Sequence, residues 1–297
     1  MTARTATRTR SGAGLPPGLL FVLPLLAIFL VVRVIPSLSA LYISFTDFSG
    51  VESPKWVGLA NYRELAADPV FRRALLNTIV YTVGVAVPST LLGFAVALLL
   101  NTTIFFRGFF RTLFFLPAVV SFVSIAVIWA YILNSQFGIL NYGLSLLGMK
   151  KILWLDSTQW ALPSLIGIGI WKAIGYNTTI YLAGLQAIPE ELHEAAKIDG
   201  ARAINRFFDI TWPSLLPVTV FVLMMTAIVA FQAFDQVLVL TAGGPADATT
   251  TVVIQTYRNA FEFLRLGYAA AMAFTLAVVI GLFSFLLIRA GRPRRRA

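Results

Sequence analysis

The sequence predicts an all-α integral membrane protein of six transmembrane helices with both termini on the cytoplasmic side. Three observations carry this prediction. Hydrophobic residues make up 58% of the 297 and charged residues only 12%, too little polar surface for a soluble chain of this size. Six apolar stretches reach the roughly 20 residues that cross a hydrocarbon core. Lys and Arg crowd the segments that would lie on one side of those stretches.

The first expected span, 19–45, follows a basic start carrying Arg4, Arg8 and Arg10. With the small residues of Ser37–Ala40 it mimics a cleavable signal, but the apolar run is too long for a signal core, so it is expected to remain as a helix. The second span, 78–100, contains Pro88 and the third, 109–133, contains Pro117, each expected to kink its helix. The fourth covers 162–187. The fifth, 214–240, is entered past Pro213 and Pro217, and the sixth covers 267–289. A membrane domain over 19–290 is thus expected between short basic tails at 1–18 and 291–297.

Orientation follows from the basic residues. With the N-terminus inside, the cytoplasmic segments hold the first three arginines, Arg107, Arg111, Lys197, Arg202, Arg206, and the five arginines from Arg289 onward. The external loops are longer and hold fewer: Lys55, Arg63, Arg72, Arg73, Lys150, Lys151, Arg258 and Arg265. The net charge of +10 therefore reads as topology and contact with anionic membrane lipid, not as nucleic-acid binding.

Several chemistries are excluded. The absence of cysteine rules out disulfides and thiolate ligands, and the single histidine, His193, makes no metal site with its neighbours. No G-x-x-x-x-G-K-[ST] loop cradles a phosphate, and no G-x-S-x-G or H-E-x-x-H is present. The chain is expected to be neither an enzyme nor a binder of any cofactor.

One stretch departs from the apolar pattern. Eight of the twenty residues from Glu190 to Asp209 are charged. Pro189 suits a helix start, Glu190 and Glu191 suit its positive end, and Gly200 suits its C-terminal cap. Leu192, Ala195 and Ala196 share one shallow face. A second short helix is expected from about Ala201 to Asp209, presenting Phe207 and Phe208, before the fifth span. On periodicity alone, the pair could equally be an amphipathic connector resting on headgroups.

The wording of the segment goes further. "EAAKIDGARAINRFFDITWP" resembles the EAA loop of bacterial ABC importer permeases, in which E-A-A is followed by three residues, a glycine, about nine residues and I-x-L-P. Glu194, Ala195, Ala196, Asp199, Gly200, Ala201, Phe207, Ile210 and Pro213 match, and Trp212 replaces the usual leucine. Three other stretches, at Trp56–Thr78, Arg111–Ile132 and Phe234–Ala273, are similar to the carbohydrate-uptake branch of the same family, in the same order. The resemblance implies a MetI-like ABC importer permease fold, six spans and a multi-pass place in the bacterial inner membrane. It also implies coupling helices over 189–212, with Glu190, Glu191, Glu194, Ala195, Ala196, Asp199, Gly200, Arg202 and Phe207 meeting an ATPase. The implied partners are a second permease, two copies of a cytoplasmic ATPase subunit that uses ATP and Mg, and an extracytoplasmic solute-binding protein or lipoprotein.

The solute pathway is expected from polar and aromatic residues of the fourth and fifth spans: Trp171, Lys172, Tyr176, Asn177, Tyr181, Phe231, Gln232 and Asp235. The class of solute is a sugar, an oligosaccharide, or a polyol or glycerol-phosphate compound. The alternative is an ion-coupled secondary transporter or channel, for which Arg33, Lys172 and Asp235 are the available intramembrane charges.

Overall fold

The computed structural model describes residues 17–102 and 105–291. The expected basic tails fall outside these residues except at positions 17, 18 and 291. Helix α1 runs through Pro17–Phe29, a π turn at Leu30–Val34 and Ile35–Ile43. It is long and apolar enough to span a membrane, and the rest of the chain buries none of its spanning window. Arg33 sits exposed in the π turn.

Strands β1 (Thr46–Asp47) and β2 (Lys55–Trp56) pair antiparallel and are followed by α2 (Ala60–Ala67). The buried Asn61 amide donates to the Ser44 and Thr46 carbonyls at 2.9 Å each, which ties the hairpin to α2. Helix α3 (Pro69–Leu100) begins well before the expected position 78. Asp68 caps it by accepting the Val70 N–H at 2.8 Å, and proline occupies its first turn. Its 32 residues reach about 48 Å at 1.5 Å per residue, so the turn carrying Arg72 and Arg73 extends past an apolar core of about 30 Å.

The third expected span is not one helix. It divides into α4 (Arg107–Val119) and α5 (Phe122–Ile132), which meet at 101°. The break falls at Val120 and Ser121, both extended at ψ 140°. Pro117 stays inside α4. A proline removes its own N–H but does not by itself place the bend three residues later. A short α6 (Ile139–Leu146) leads to α7 (Ala161–Gln186), the expected fourth span. Buried Asn141 closes the connection, bonding Ser135, Ile152 and the Trp154 indole.

Helix α8 (Glu190–Ile198) precedes a helix that differs from expectation at both ends. No separate helix ends at Asp209. Instead α9 is continuous over Ala203–Phe231 through a π turn at Phe207–Thr211. Pro213 therefore lies inside this helix, just after the π turn. At the other end the expected fifth span stops at Phe231, and Asp235–Leu240 forms its own helix, α10. Helix α11 (Val252–Tyr257), a π turn at Arg258–Glu262 and α12 (Leu266–Ala290) complete the chain. Among the described residues four helices pass a length-and-apolarity test for spanning, or five with the bent pair.

The bundle centres on α3 and α7, whose close approach is set by small residues. A Cβ on Gly93 of α3 would lie 2.7 Å from the Asn177 Cβ and 3.1 Å from the Thr178 nitrogen of α7. Buried polar groups join the same helices. Asn177 donates to the Ser89 hydroxyl on α3 at 3.2 Å and accepts from Thr226 on α9 at 2.9 Å. The end of the bundle bearing β1, β2 and α2 is sealed by hydrogen bonds from Asn77 to the Asp247 and Thr250 carbonyls and by a Glu64–Arg265 pair at 2.7 Å.

Gly93→Val should force α3 and α7 apart and destabilise the chain by about 1–3 kcal/mol, the usual overpacking range. Gly281→Val, whose Cβ would meet open space, should leave stability unchanged. Thermal unfolding of the two detergent-solubilised variants checks both.

Candidate functional site

Two features stand out, one at each level of α9. At its start lies the charged surface. Helix α8 carries Glu190 and Glu191 in its first turn and Lys197 in its last, matching the helix dipole at both ends. Gly200 adopts φ +77°, its N–H reaches the Lys197 carbonyl at 3.1 Å, and the Ala201 N–H reaches Ala196 at 2.8 Å. This double bond pattern around a left-handed residue is a Schellman cap. No atom lies within 4 Å of where a Gly200 Cβ would be, so the site needs glycine for its backbone conformation and not for space. The Arg206 guanidinium then donates to the Ala201 carbonyl at 2.8 Å and ties the turn to the first turn of α9.

No residue of α8 is buried. Leu192, Ile198, Ile204 and Phe208 are large apolar groups left exposed, Ile198 to 88%. Phe207 turns inward: its ring lies 6.1 Å from Phe94 on α3, which also contacts Tyr181 at 5.2 Å and Trp212 at 5.7 Å. Of the residues expected to couple, Glu190, Glu191, Glu194, Ala195, Asp199, Gly200 and Arg202 share this open surface. Ala196 and Phe207 are half-buried beneath it.

Farther along α9 a cavity of about 240 Å³ opens between α3, the α4–α5 break, α7, α9 and α10. Lys172, Tyr176 and Asn177 of α7 line it, together with Tyr81, Phe122, Thr226 and Gln236. The Gln236 amide donates to the Tyr81 hydroxyl. Lys172 Nζ donates to the Pro117 and Val120 carbonyls at 3.0 and 2.6 Å.

The other expected pathway residues lie outside this lining. Trp171 packs edge-on against Trp129 at 5.6 Å. Tyr181 is buried against Phe94, and Phe231 against Phe283 at 5.4 Å. Gln232 and Asp235 are exposed where α9 gives way to α10. Sequence reasoning missed Tyr81 and Gln236. Gln236 stands next to a named candidate, Asp235, but no helical period reaches it, because the helix is interrupted between Phe231 and Asp235. Tyr81 stands in a span that also carries Thr78, Thr82, Ser89 and Thr90, and nothing in the sequence sets it apart from them.

Residues 89–297 match the binding-protein-dependent transport system inner membrane component family. The chain belongs to this family of permeases. Whole-length relatives agree. It is 36% identical to the probable ABC transporter permease protein YesP of Bacillus subtilis over 279 residues, covering 92% of this chain and 89% of the relative. It is 33% identical to the trehalose/maltose transport system permease protein MalF of Thermococcus litoralis, over 94% of each. Identity to the sulfoquinovosyl glycerol transport system permease protein SmoG of Agrobacterium fabrum is 34%, over 86% of this chain and 83% of that one.

The permease fold is also shared with a solved structure, that of a bacterial ABC transporter involved in the import of the acidic polysaccharide alginate. The match has a TM-score of 0.81 at 23% identity and covers 94% of this chain and 96% of that one. The chain is thus a membrane transport component, and the alternative of an ion-coupled carrier or channel is not supported.

Replacing Gly200 by valine should strain the left-handed turn by about 1–2 kcal/mol, whereas asparagine, which tolerates this conformation, should cost less. Amide hydrogen exchange over residues 190–206 should speed up severalfold in Gly200→Val and only slightly in Gly200→Asn.

Proposed function

We propose that this permease forms half of the translocation pathway of an ATP-driven importer for a sugar, an oligosaccharide or a related polyol in the bacterial inner membrane. The observation that carries the reading is the continuity of α9. One helix begins at the Schellman turn of the charged surface and, near its far end, supplies Met225, Thr226, Val229 and Ala230 to the cavity wall. A displacement of α8 therefore reaches the cavity through a single rod, with no loop to absorb it.

In this reading six segments cross the membrane: α1, α3, the bent α4–α5 pair, α7, α9 and α12, with both termini cytoplasmic. Helix α7 counts among them although it is too polar for the apolarity test. Its 26 residues are about 39 Å long, and its polar groups face other helices or the cavity. The other half of the pathway is a second, similar permease. Two copies of a cytoplasmic ATPase subunit bind and hydrolyse the ATP, with Mg, and one seats on the surface around Glu190, Glu191, Glu194, Asp199 and Arg202. An extracytoplasmic solute-binding protein delivers the solute to the opposite end. Closure of the ATPase dimer moves α8, and hydrolysis resets it. This chain holds no cofactor and catalyses nothing by itself.

The cavity favours a hydroxyl-rich solute. Tyr81, Tyr176, Asn177, Thr226 and Gln236 are neutral donors and acceptors with aromatic faces beside them. Permeases named for trehalose/maltose and for sulfoquinovosyl glycerol are among the relatives, which supports the same class.

Glu194→Lys should lower ATP hydrolysis by the isolated complex by at least about tenfold, the effect of reversing a charge within an interface. Its level in the membrane should stay near that of the unmodified chain. Co-purification of an ATPase subunit with the tagged chain, and its loss in the variant, is the measurement. A chain that purifies alone, or hydrolysis unaffected by the variant, overturns the coupling role.

A further inference from the structure

The bend between α4 and α5 poses a problem that the apolar setting makes severe. At a helix end the last carbonyls lose their intrahelical donors, and within hydrocarbon there is no water to replace them. Here the end is abrupt: Val120 and Ser121 are extended, and α5 departs at 101°. One side chain meets the exposed carbonyls. Lys172, halfway along α7, donates to Pro117 O in the last turn of α4 at 3.0 Å and to Val120 O in the break itself at 2.6 Å. Its Nζ also lies 4.8 Å from the centre of the Phe122 ring, in the first turn of α5. A single ammonium thus touches both arms of the bend and the link between them.

We propose that Lys172 is a positioning residue that keeps the third span broken and so gives the solute cavity its wall of Ala118 and Phe122. The physical terms agree in sign. A cation at the C-terminal end of α4 opposes the negative end of its dipole. Two charge-assisted bonds satisfy carbonyls that a continuous helix would have satisfied internally, and the ring face of Phe122 holds the remaining side of the ammonium. The long flexible stem of lysine lets one side chain of α7 reach two carbonyls of a neighbouring segment.

The assignment removes Lys172 from the set of solute ligands. An ammonium held by two carbonyls and a ring spends its hydrogen bonds on the chain, although it also borders the cavity. Among the described residues the three ion pairs involve Lys55, Arg258 and Arg265, and none involves Lys172. The remaining polar groups named in the cavity are neutral. This selects uncharged solutes within the class proposed above, a corollary that rests on that reading; the role of Lys172 in the bend does not.

The chain contains no cysteine, so paired labels can be placed without background. Phe109 on α4 and Tyr131 on α5 are 63% and 66% exposed. Spin labels at Phe109→Cys and Tyr131→Cys, in the full chain reconstituted into nanodiscs, read the bend as a distance by pulsed electron resonance. A straight helix would separate the two positions by about 33 Å at 1.5 Å per residue, and the bent pair by only about 20 Å.

Lys172→Met should lengthen and broaden this distance, by up to roughly 10 Å, whereas Lys172→Arg, which keeps charge and donors, should restore it. If Lys172→Met fails to assemble, Lys172→Gln replaces it. Its amide stops one atom short of Nζ and carries no charge, so the distance should again lengthen. An unchanged distance in the methionine or glutamine variant overturns the proposal. So does a change in the unmodified protein on adding inorganic phosphate, which would make the ammonium an anion ligand. The distance is a property of this chain, so it tests the bend even if the importer assembly proposed above proves wrong.

Discussion

Asn177 sits where three helices meet, in a place where an amide cannot turn to water. Its partners have to come from inside the chain, and they do: Ser89 from α3 and Thr226 from α9. In soluble proteins helix packing is driven by removing apolar surface from water. In a bilayer that force is largely absent, and contacts between small residues together with interhelical hydrogen bonds of about 1 kcal/mol each decide how helices align. Asn177 combines the two, since the Gly93 position lets α3 come within contact of its Cβ. Once this node sets the register, the rest of the central bundle has little freedom. The same rule explains Gln236 with Tyr81, and Lys172 with the broken helix.

The two ends of the bundle solve different problems. At the end bearing β1, β2 and α2, polar groups are satisfied within the chain. Thr249, Thr250 and Thr251 are fully buried, with hydroxyls bonded to the Gly244, Gly243 and Ala233 carbonyls, and Arg265 reaches both Glu64 oxygens. Apolar groups such as Val51, Trp56, Phe261 and Phe263 nonetheless stay exposed there. The end bearing α8 shares this feature. Its backbone is locked by the Gly200 cap and Arg206, yet Leu192, Ile198, Ile204 and Phe208 are left open. A rigid backbone under uncovered apolar side chains is what a docking surface requires: little ordering cost, and area still to bury.

Between the ends runs α9, continuous from the charged surface to the cavity wall. A π turn inserts one extra residue per turn, and here it lets the helix continue past Phe207–Thr211 while Phe207 and Trp212 remain packed on Phe94. The aromatic cluster joins the base of α9 to α3 and α7, which also line the cavity. The abrupt end at Phe231 is equally useful. It frees α10 to turn back and bring Gln236 to Tyr81, which a continuous span to 240 would have placed elsewhere.

The membrane class, the position of most spans, the charged surface and the family were all legible in the sequence, because each is a local signal. Hydropathy depends on which residues are adjacent in sequence, the Glu190-to-Gly200 helix on its own caps, and the EAA wording on spacing. The break at Val120, the continuity of α9 across Asp209, and its end at Phe231 were not legible. At Val120 hydropathy is silent, since a broken apolar helix and a straight one have the same composition; near Asp209 and Phe231 hydropathy does change, but a change in polarity does not say whether the helix continues or stops. The cavity was half legible: Lys172, Tyr176 and Asn177 announce themselves as polar residues in a span, but Tyr81 and Gln236 acquire meaning only from each other. Those features were decided by tertiary structure for one physical reason. Without water, the amides of Asn177 and Gln236 and the carbonyls of Pro117 and Val120 take partners from distant parts of the chain, and where those partners stand bears on where a helix can break or end.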